Sequence, residues 1–193
     1  MKETKCDARI EKTKAALTYA FGQLLSEKSI EKITINELCN RANINRITFY
    51  NHYSDKYDFF SQLLQEINNK ATKELHFRIV HSQNNIEETL LTFIEICIDA
   101  FLEYKDIILS IVHNPDNSII VFMIKNSVSD LIKEVGNIID NTTSNDPNGE
   151  LLNAFISGGS CSLVYFWLSN IDKYSKESFI ESSKLIIQGT LKK

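Results

Sequence analysis

Between residues 34 and 56 the chain reads TINELCNRANINRITFYNHYSDK, and helix-starting and helix-ending signals fall so close together here that two short helices and a tight turn are required. Thr34 stands three residues ahead of Glu37 at the head of an apolar-periodic segment, the spacing of a capping box. Ile35, Leu38, Cys39 and Ala42 fall on one face of the ensuing helix, with Asn36, Glu37, Asn40 and Arg41 outside it. Cys39, on the apolar face, reads as a small buried hydrophobe. Asn43 tolerates the left-handed conformation that ends a helix, Ile44 reads as a buried plug, and Asn45 is a good N-cap for a second helix starting near Arg46. On that helix Ile47, Thr48, Asn51 and His52 can point outward. Phe49 reads as core, while Tyr50 and Tyr53 supply aromatic mass for packing or for hydroxyl contacts.

Two helices around a three-residue turn match the helix-turn-helix, whose second helix lays its N-terminal residues on base edges in the major groove. The surroundings agree. Upstream, Ile10, Lys14, Leu17, Phe21, Leu24 and Leu25 recur at helical spacing and predict a long supporting helix. Downstream, Tyr53, Lys56 and Phe59 follow one another with two residues between each.

Over roughly residues 9 to 60 the chain therefore resembles the DNA-binding domain of the TetR/AcrR (tetracycline-repressor-like) family. The resemblance implies an all-α fold, with an N-terminal three-helix helix-turn-helix domain over 1–56 and a C-terminal helical bundle for effector binding and dimerisation over 57–193. It also implies roles. Arg46 and Thr48 would reach base edges, Arg by its forked donors to guanine and Thr by hydroxyl or methyl. Asn45 would cap the helix or touch the groove, and Asn51 lies with the outward residues. Tyr50 and His52 resemble the family's phosphate-contacting pair. Lys56 would meet a phosphate where its ammonium joins free backbone N–H groups at a helix start, and Thr34 would contact phosphate as well. The departure is Ile47, where the family more often has a small residue, so the helix sits differently or sets Ile47 against a thymine methyl.

The net charge of −4 does not favour a polyanionic partner if spread evenly, but it is not. Residues 1–60 hold ten Lys/Arg and eight Asp/Glu, a balance of +2, which leaves 11 against 17, or −6, in residues 61–193. Phosphate attraction is needed only at the N-terminal end. Lys2, Lys5, Arg9, Lys12 and Lys14 read either as backbone contacts from the arm and first helix or as ordinary solvated charges. Cys6, Cys39, Cys97 and Cys161 are widely separated and suggest neither a zinc site nor a disulfide framework. No metal, cofactor or catalytic residue is expected, and with no leader at its start the chain is expected in the cytoplasm.

Beyond residue 57 helix follows helix. A connecting helix over 57–80 carries Phe60, Leu63, Leu64, Ile67, Ala71 and Leu75 on its inner stripe. Leu90, Ile94, Cys97, Ile98 and Phe101 mark the next over 86–104, and a shorter segment runs from Asp106 to His113. Ile120, Ser127, Leu131, Val135 and Ile138 mark another, closed by a polar loop from Asn141 to Gly149. Residues 151–171 carry no charge, which invites a membrane reading. Asn153, Ser157, Ser160, Ser162, Ser169 and Asn170 make the run too polar for lipid, and Glu150 and Asp172 flank it without a basic cluster, so burial by protein is expected. A final helix, with Phe179, Ser183, Ile186, Ile187 and Thr190 on one face, is its natural partner. The family resemblance implies that these last two helices, about 150–170 and 175–191, form the dimer interface, with Gly158 and Gly159 permitting close approach. Gly-Gly followed by Trp167-Leu168 faintly resembles a subgroup linked to dihydroxyacetone kinase genes.

The function implied is that of a homodimeric repressor of a double-stranded DNA operator, pseudo-palindromic and relieved by an unidentified small-molecule effector. An alternative keeps DNA binding but places control in a partner protein, as in a co-activator. A helical enzyme is disfavoured, since the sequence holds no Gly-rich phosphate loop, nucleophile elbow or metal-spaced cluster. Phe93, Phe101, Tyr104, His113, Phe122, Met123, Tyr165, Phe166 and Trp167 read as core or as pocket lining.

Overall fold

The computed structural model describes residues 3–80, 86–112, 117–140 and 147–191, and every regular element among them is a helix. In order these are α1 (Glu3–Glu27), a 3-10 turn (Ile30–Lys32), α2 (Ile35–Ala42), α3 (Arg46–Tyr50), α4 (Lys56–Val80), α5 (Ile86–Glu103), α6 (Lys105–Val112), α7 (Ser118–Asp140), α8 (Pro147–Leu168) and α9 (Lys176–Leu191). The all-α expectation holds. Packing divides the chain into two units, Met1–Leu63 with Asp106–Val121, and Leu64–Lys105 with Phe122–Lys193. The first two turns of α4, most of α6 and the start of α7 fall in the same unit as α1, α2 and α3.

In the first unit α1 buries Leu17, Ala20, Phe21, Leu24 and Leu25, which recur at three- and four-residue spacing on one face. Ile10, expected on the same stripe, is 40% exposed, so the buried face starts further along α1. An aromatic cluster joins α1, α3 and α4: Phe21 meets Phe59 edge-on at 5.5 Å and Phe60 at 5.6 Å, while Tyr53 lies 5.3 Å from Phe49 and 5.0 Å from Phe59. Helix α6 comes close to α1 at Gly22, where a Cβ would stand only 2.7 Å from Ile107 Cγ1. Any larger residue at 22 displaces that isoleucine.

The second unit is built on Ala71 and Leu75 of α4, Ile96 of α5 and Leu131 of α7, with Phe93 and Cys97 packed against them. Burial pushes the Cys97 thiol up to about 12 and raises that of Cys161, so neither offers a thiolate at neutral pH. Asn68 Nδ2 donates to the Ser127 carbonyl at 2.9 Å, tying α4 to α7. Trp167 is core: its ring lies 4.9 Å from Phe179 and its Nε1 donates to the Tyr174 carbonyl at 2.9 Å, which closes the turn from α8 into α9. The polar run expected to loop as far as Gly149 gives its last three residues to α8, which opens at Pro147, a position where the missing N–H of proline is no loss. Residues 141–146, like His113, lie outside the described residues. On α9, Phe179 and Ser183 are buried as expected, whereas Ile186 is 58% exposed; the side chains of Ile187 and Thr190 lie outside the described residues. Among the described residues no helix is long and apolar enough to cross a membrane, and no cluster of His, Cys, Asp and Glu suits a metal ion.

Candidate nucleic-acid interface

Helix α2 starts where the sequence placed it. Thr34 Oγ1 accepts from the Glu37 amide at 3.2 Å, while Glu37 Oε2 accepts from the Thr34 amide at 3.0 Å and from its hydroxyl at 2.9 Å. The box is braced to α1 by the Lys28 ammonium on the other oxygen of Glu37, at 2.5 Å. Lys28 first, and the Thr34 amide second, hold the Glu37 carboxyl down to about 2. A second brace is bidentate: Arg41 donates through both terminal nitrogens to Glu27, which keeps that carboxyl below its ordinary range.

Asn43 ends α2 at φ 55 and ψ 44, the one non-glycine residue with positive φ among the described residues, and its amide donates to Asn40 and Cys39 carbonyls. Asparagine tolerates this left-handed position because its short polar side chain can bond locally. Cys39 is fully buried, and Ile44, expected as a plug, is only half-buried. Asn45 Oδ1 then accepts from the Ile47 amide at 2.8 Å and caps α3. Five residues are too few for a helix to stand alone in water. Phe49, with none of its surface exposed, pins α3 into the aromatic cluster.

What remains outside is the candidate reading surface. Asn45, Arg46, Ile47, Tyr50, Asn51 and His52 are exposed, with Ile47 at 70% and Tyr50 at 50%, and Thr48 is half-buried. From Leu38 to Ser54 the sequence has no carboxylate, so nothing on α3 or its turn repels a phosphate. Arg46 makes no ion pair among the described residues, and its guanidinium lies 5.8 Å from the centre of the Tyr50 ring. One turn apart on α3, these two place a fork of donors beside a phenolic hydroxyl. Asn45 Nδ2 is left as a donor once Oδ1 is committed to the cap.

Two expected phosphate contacts are differently placed. Thr34 has no spare donor, since its amide and hydroxyl are both held by Glu37, so direct contact would break the capping box. At the start of α4 the amides expected to be free are occupied: Asp55 Oδ1 accepts from Tyr57 and Asp58 at 2.8 Å each. The Lys56 ammonium turns inward instead, donating to the carbonyls of Glu31 at 2.9 Å and Ile33 at 2.7 Å, and burial lowers its pKa. Its third donor has no hydrogen bond among the described residues, and the ammonium lies 5.4 Å from the centre of the Tyr57 ring. The sequence carried a signal for Asp55, an Asx residue directly ahead of α4 with Asp58 three positions on, and none for the Arg41–Glu27 brace.

Two family models match this chain. One describes bacterial regulatory proteins of the tetR family and covers residues 20–63; the other describes a transcriptional regulator C-terminal region and covers residues 88–189, more than half of the chain. An uncharacterized HTH-type transcriptional regulator of Bacillus subtilis, YxbF, is 37% identical over 86 residues, which are 43% of this chain and 22% of that protein. The match thus spans about a fifth of that relative. Among solved structures, the fatty acid degradation regulator FadR from Bacillus halodurans superposes with a TM-score of 0.67 at 14% identity, covering 92% of this chain and 95% of that one. The dihydroxyacetone kinase operon activator DhaS superposes at 0.50 with 14% identity, covering 93% of both. At such identities the likeness is one of fold. The family matches, the capped helix-turn-helix and the all-helical C-terminal region agree, and the chain belongs to the tetR family of DNA-binding transcriptional regulators, which are not enzymes.

Proposed function

We propose that the protein is a homodimeric repressor that reads a pseudo-palindromic operator from the cytoplasm and is released from it by a small-molecule effector. The observation that carries the DNA half of this reading is α3 itself, a five-residue helix capped at its start, pinned by Phe49, and left with Arg46, Ile47 and Tyr50 in solvent. Arg46, Ile47 and Thr48 face base edges, with Ile47 set against a thymine methyl. Tyr50, Asn51, His52 and the free donor of Asn45 meet phosphates, and Lys56 keeps one donor for the same purpose. Thr34 serves as the cap that orients α2 and reaches phosphate only if its box opens.

Dimerisation is supported by the last two helices, which leave Leu151 71%, Leu163 40%, Phe166 53% and Leu185 62% exposed. Gly159 lies in the same stretch, and a Cβ added there would meet nothing within 4 Å. Large apolar side chains left in solvent along two successive helices support an interaction site there, although Phe77 of α4 and Phe122 of α7 are exposed as well. A two-fold pair also supplies the second reading helix that specificity needs, about 34 to 36 Å from the first.

The effector is supported by family membership; among the described residues one recess is its candidate site. A recess of about 210 Å³ between α4 and α5 is smaller than the roughly 300–1,000 Å³ usual for ligand pockets. Its charged rim is already paired, Lys70 with Glu103 at 3.6 Å and Arg78 with Glu74 at 2.8 Å. Control by a partner protein is the competing reading. Addition of protein-free metabolite fractions to the protein–operator complex separates the two. Release by such a fraction is the expected result, and release only by a protein fraction replaces the effector with a partner.

A further inference from the structure

We infer that Asn117 is a positioning residue for DNA reading, acting from 87 positions away in sequence on the 3-10 turn that joins α1 to α2. Together with the Lys28–Glu37 and Arg41–Glu27 braces, this turn sets how α2, and through the Asn43 turn α3, leaves the end of α1. It is too short to hold its own geometry: its cap residue Ser29 makes no side-chain capping bond, and one turn of 3-10 helix supplies few internal bonds.

Two side chains hold it from outside. Asn117 Oδ1 accepts from the Ile30 amide at 3.0 Å, with neither residue exposed. From the opposite chemical side, the Lys56 ammonium donates to the Glu31 and Ile33 carbonyls. A buried acceptor thus fixes the first amide of the turn, and a half-buried cation fixes the Glu31 carbonyl within it and the Ile33 carbonyl directly after it. Both come from helix starts, Lys56 as the first residue of α4 and Asn117 as the residue before α7, whose carbonyl accepts from Val121 at 3.1 Å.

Asn117 is an expensive way to achieve this. Its Nδ2 is buried and finds no acceptor among the described residues. A buried polar group left half-satisfied lowers stability, so an apolar residue of similar size would suit folding better if packing were the only demand. The amide it holds explains its presence.

Asn117→Leu fills the same space without an acceptor, and Asn117→Asp keeps an oxygen for the Ile30 amide. On DNA that the native protein selects from a random pool, the leucine variant is expected to bind about tenfold more weakly, as losing one buried hydrogen bond from the reading geometry implies. Its salt slope should match the native one, since no phosphate contact is removed. Burial disfavours the charged form of the aspartate, so that variant should recover most of the affinity once the pH is lowered to about 5 and its carboxyl is neutral. A leucine variant that binds like the native protein, or one whose salt slope falls, overturns the assignment, as do two variants equally impaired at that lower pH. If the leucine variant does not fold, amide exchange in the native protein decides. Because binding and turn geometry are linked, protection of the Ile30 amide should rise when the selected DNA binds, and unchanged protection overturns the proposal. Failure to select any DNA would count against the DNA-binding reading and not against Asn117.

Discussion

The helix-turn-helix and the α8–α9 pair use their apolar residues in opposite ways. Around α3, Phe21, Phe49, Phe59 and Phe60 turn inward and are at most 2% exposed, so the reading unit completes its own core. Along α8 and α9, Trp167, Leu168 and Phe179 are buried while Leu151, Phe166 and Leu185 stand in solvent. A region whose core is closed can present polar groups to DNA; a region that leaves large apolar side chains outside is built for contact with another surface. On the proposed reading, the contrast separates the part that would read DNA from the part that would assemble.

The contrast can be broken from either side. The largest effect is expected at Phe49→Ala, which removes the anchor of a five-residue helix and should cost about 3–5 kcal/mol of folding stability; chemical denaturation measures it, and a cost below about 1 kcal/mol would mean α3 is held by something else. Leu185→Glu comes next. In the monomer the side chain is exposed and the change should be nearly neutral, whereas in a dimer interface an unpaired buried carboxylate costs about 3 kcal/mol or more. Sedimentation of the variant against the native protein reads this directly, and an unchanged dimer places the interface elsewhere.

Smaller effects sharpen the reading side. Arg46→Ala should weaken binding by about 1–3 kcal/mol and relax base preference at one position of each half-site; a uniform loss across sequences would make Arg46 a phosphate contact. Thr34→Ala should cost about 0.5–2 kcal/mol of stability through the lost cap, visible as a lower thermal midpoint. The smallest effect concerns pH. The folded carboxyl of Glu37 lies near 2 against an ordinary value of 4.5. A depressed carboxyl stabilises the fold above its unfolded pKa, and that contribution is lost as pH falls from about 4.5 towards 2. Glu37→Gln should flatten this part of the stability profile, and an identical profile would show that the Lys28–Glu37 pair is idle.

Much of the reading unit was legible because its signals are local. Thr34 with Glu37, the Asn43 turn and the Asn45 cap lie within a few residues of the groups they satisfy, so composition and spacing suffice. What was missed depends on residues far apart in the chain. Lys56 reads as an exposed cation on a helix start, yet its ammonium is drawn to carbonyls 23 and 25 residues away. The Arg41–Glu27 brace and the Ile30–Asn117 bond likewise join positions that no periodicity relates. Ile10 and Ile186 carried the correct helical spacing, but spacing gives only the face of a helix and not whether a neighbour covers it. The opening of α8 at Pro147 was hidden by the polar residues around it, which signal a loop as readily as a helix start.

Selection of bound sequences from random DNA by the purified protein tests the central claim most directly. A dimer that presents two α3 helices should enrich an inverted repeat with half-site centres about 10–10.5 base pairs apart, or a multiple of that spacing. Enrichment of a single unpaired half-site, or of no sequence at all, would contradict it.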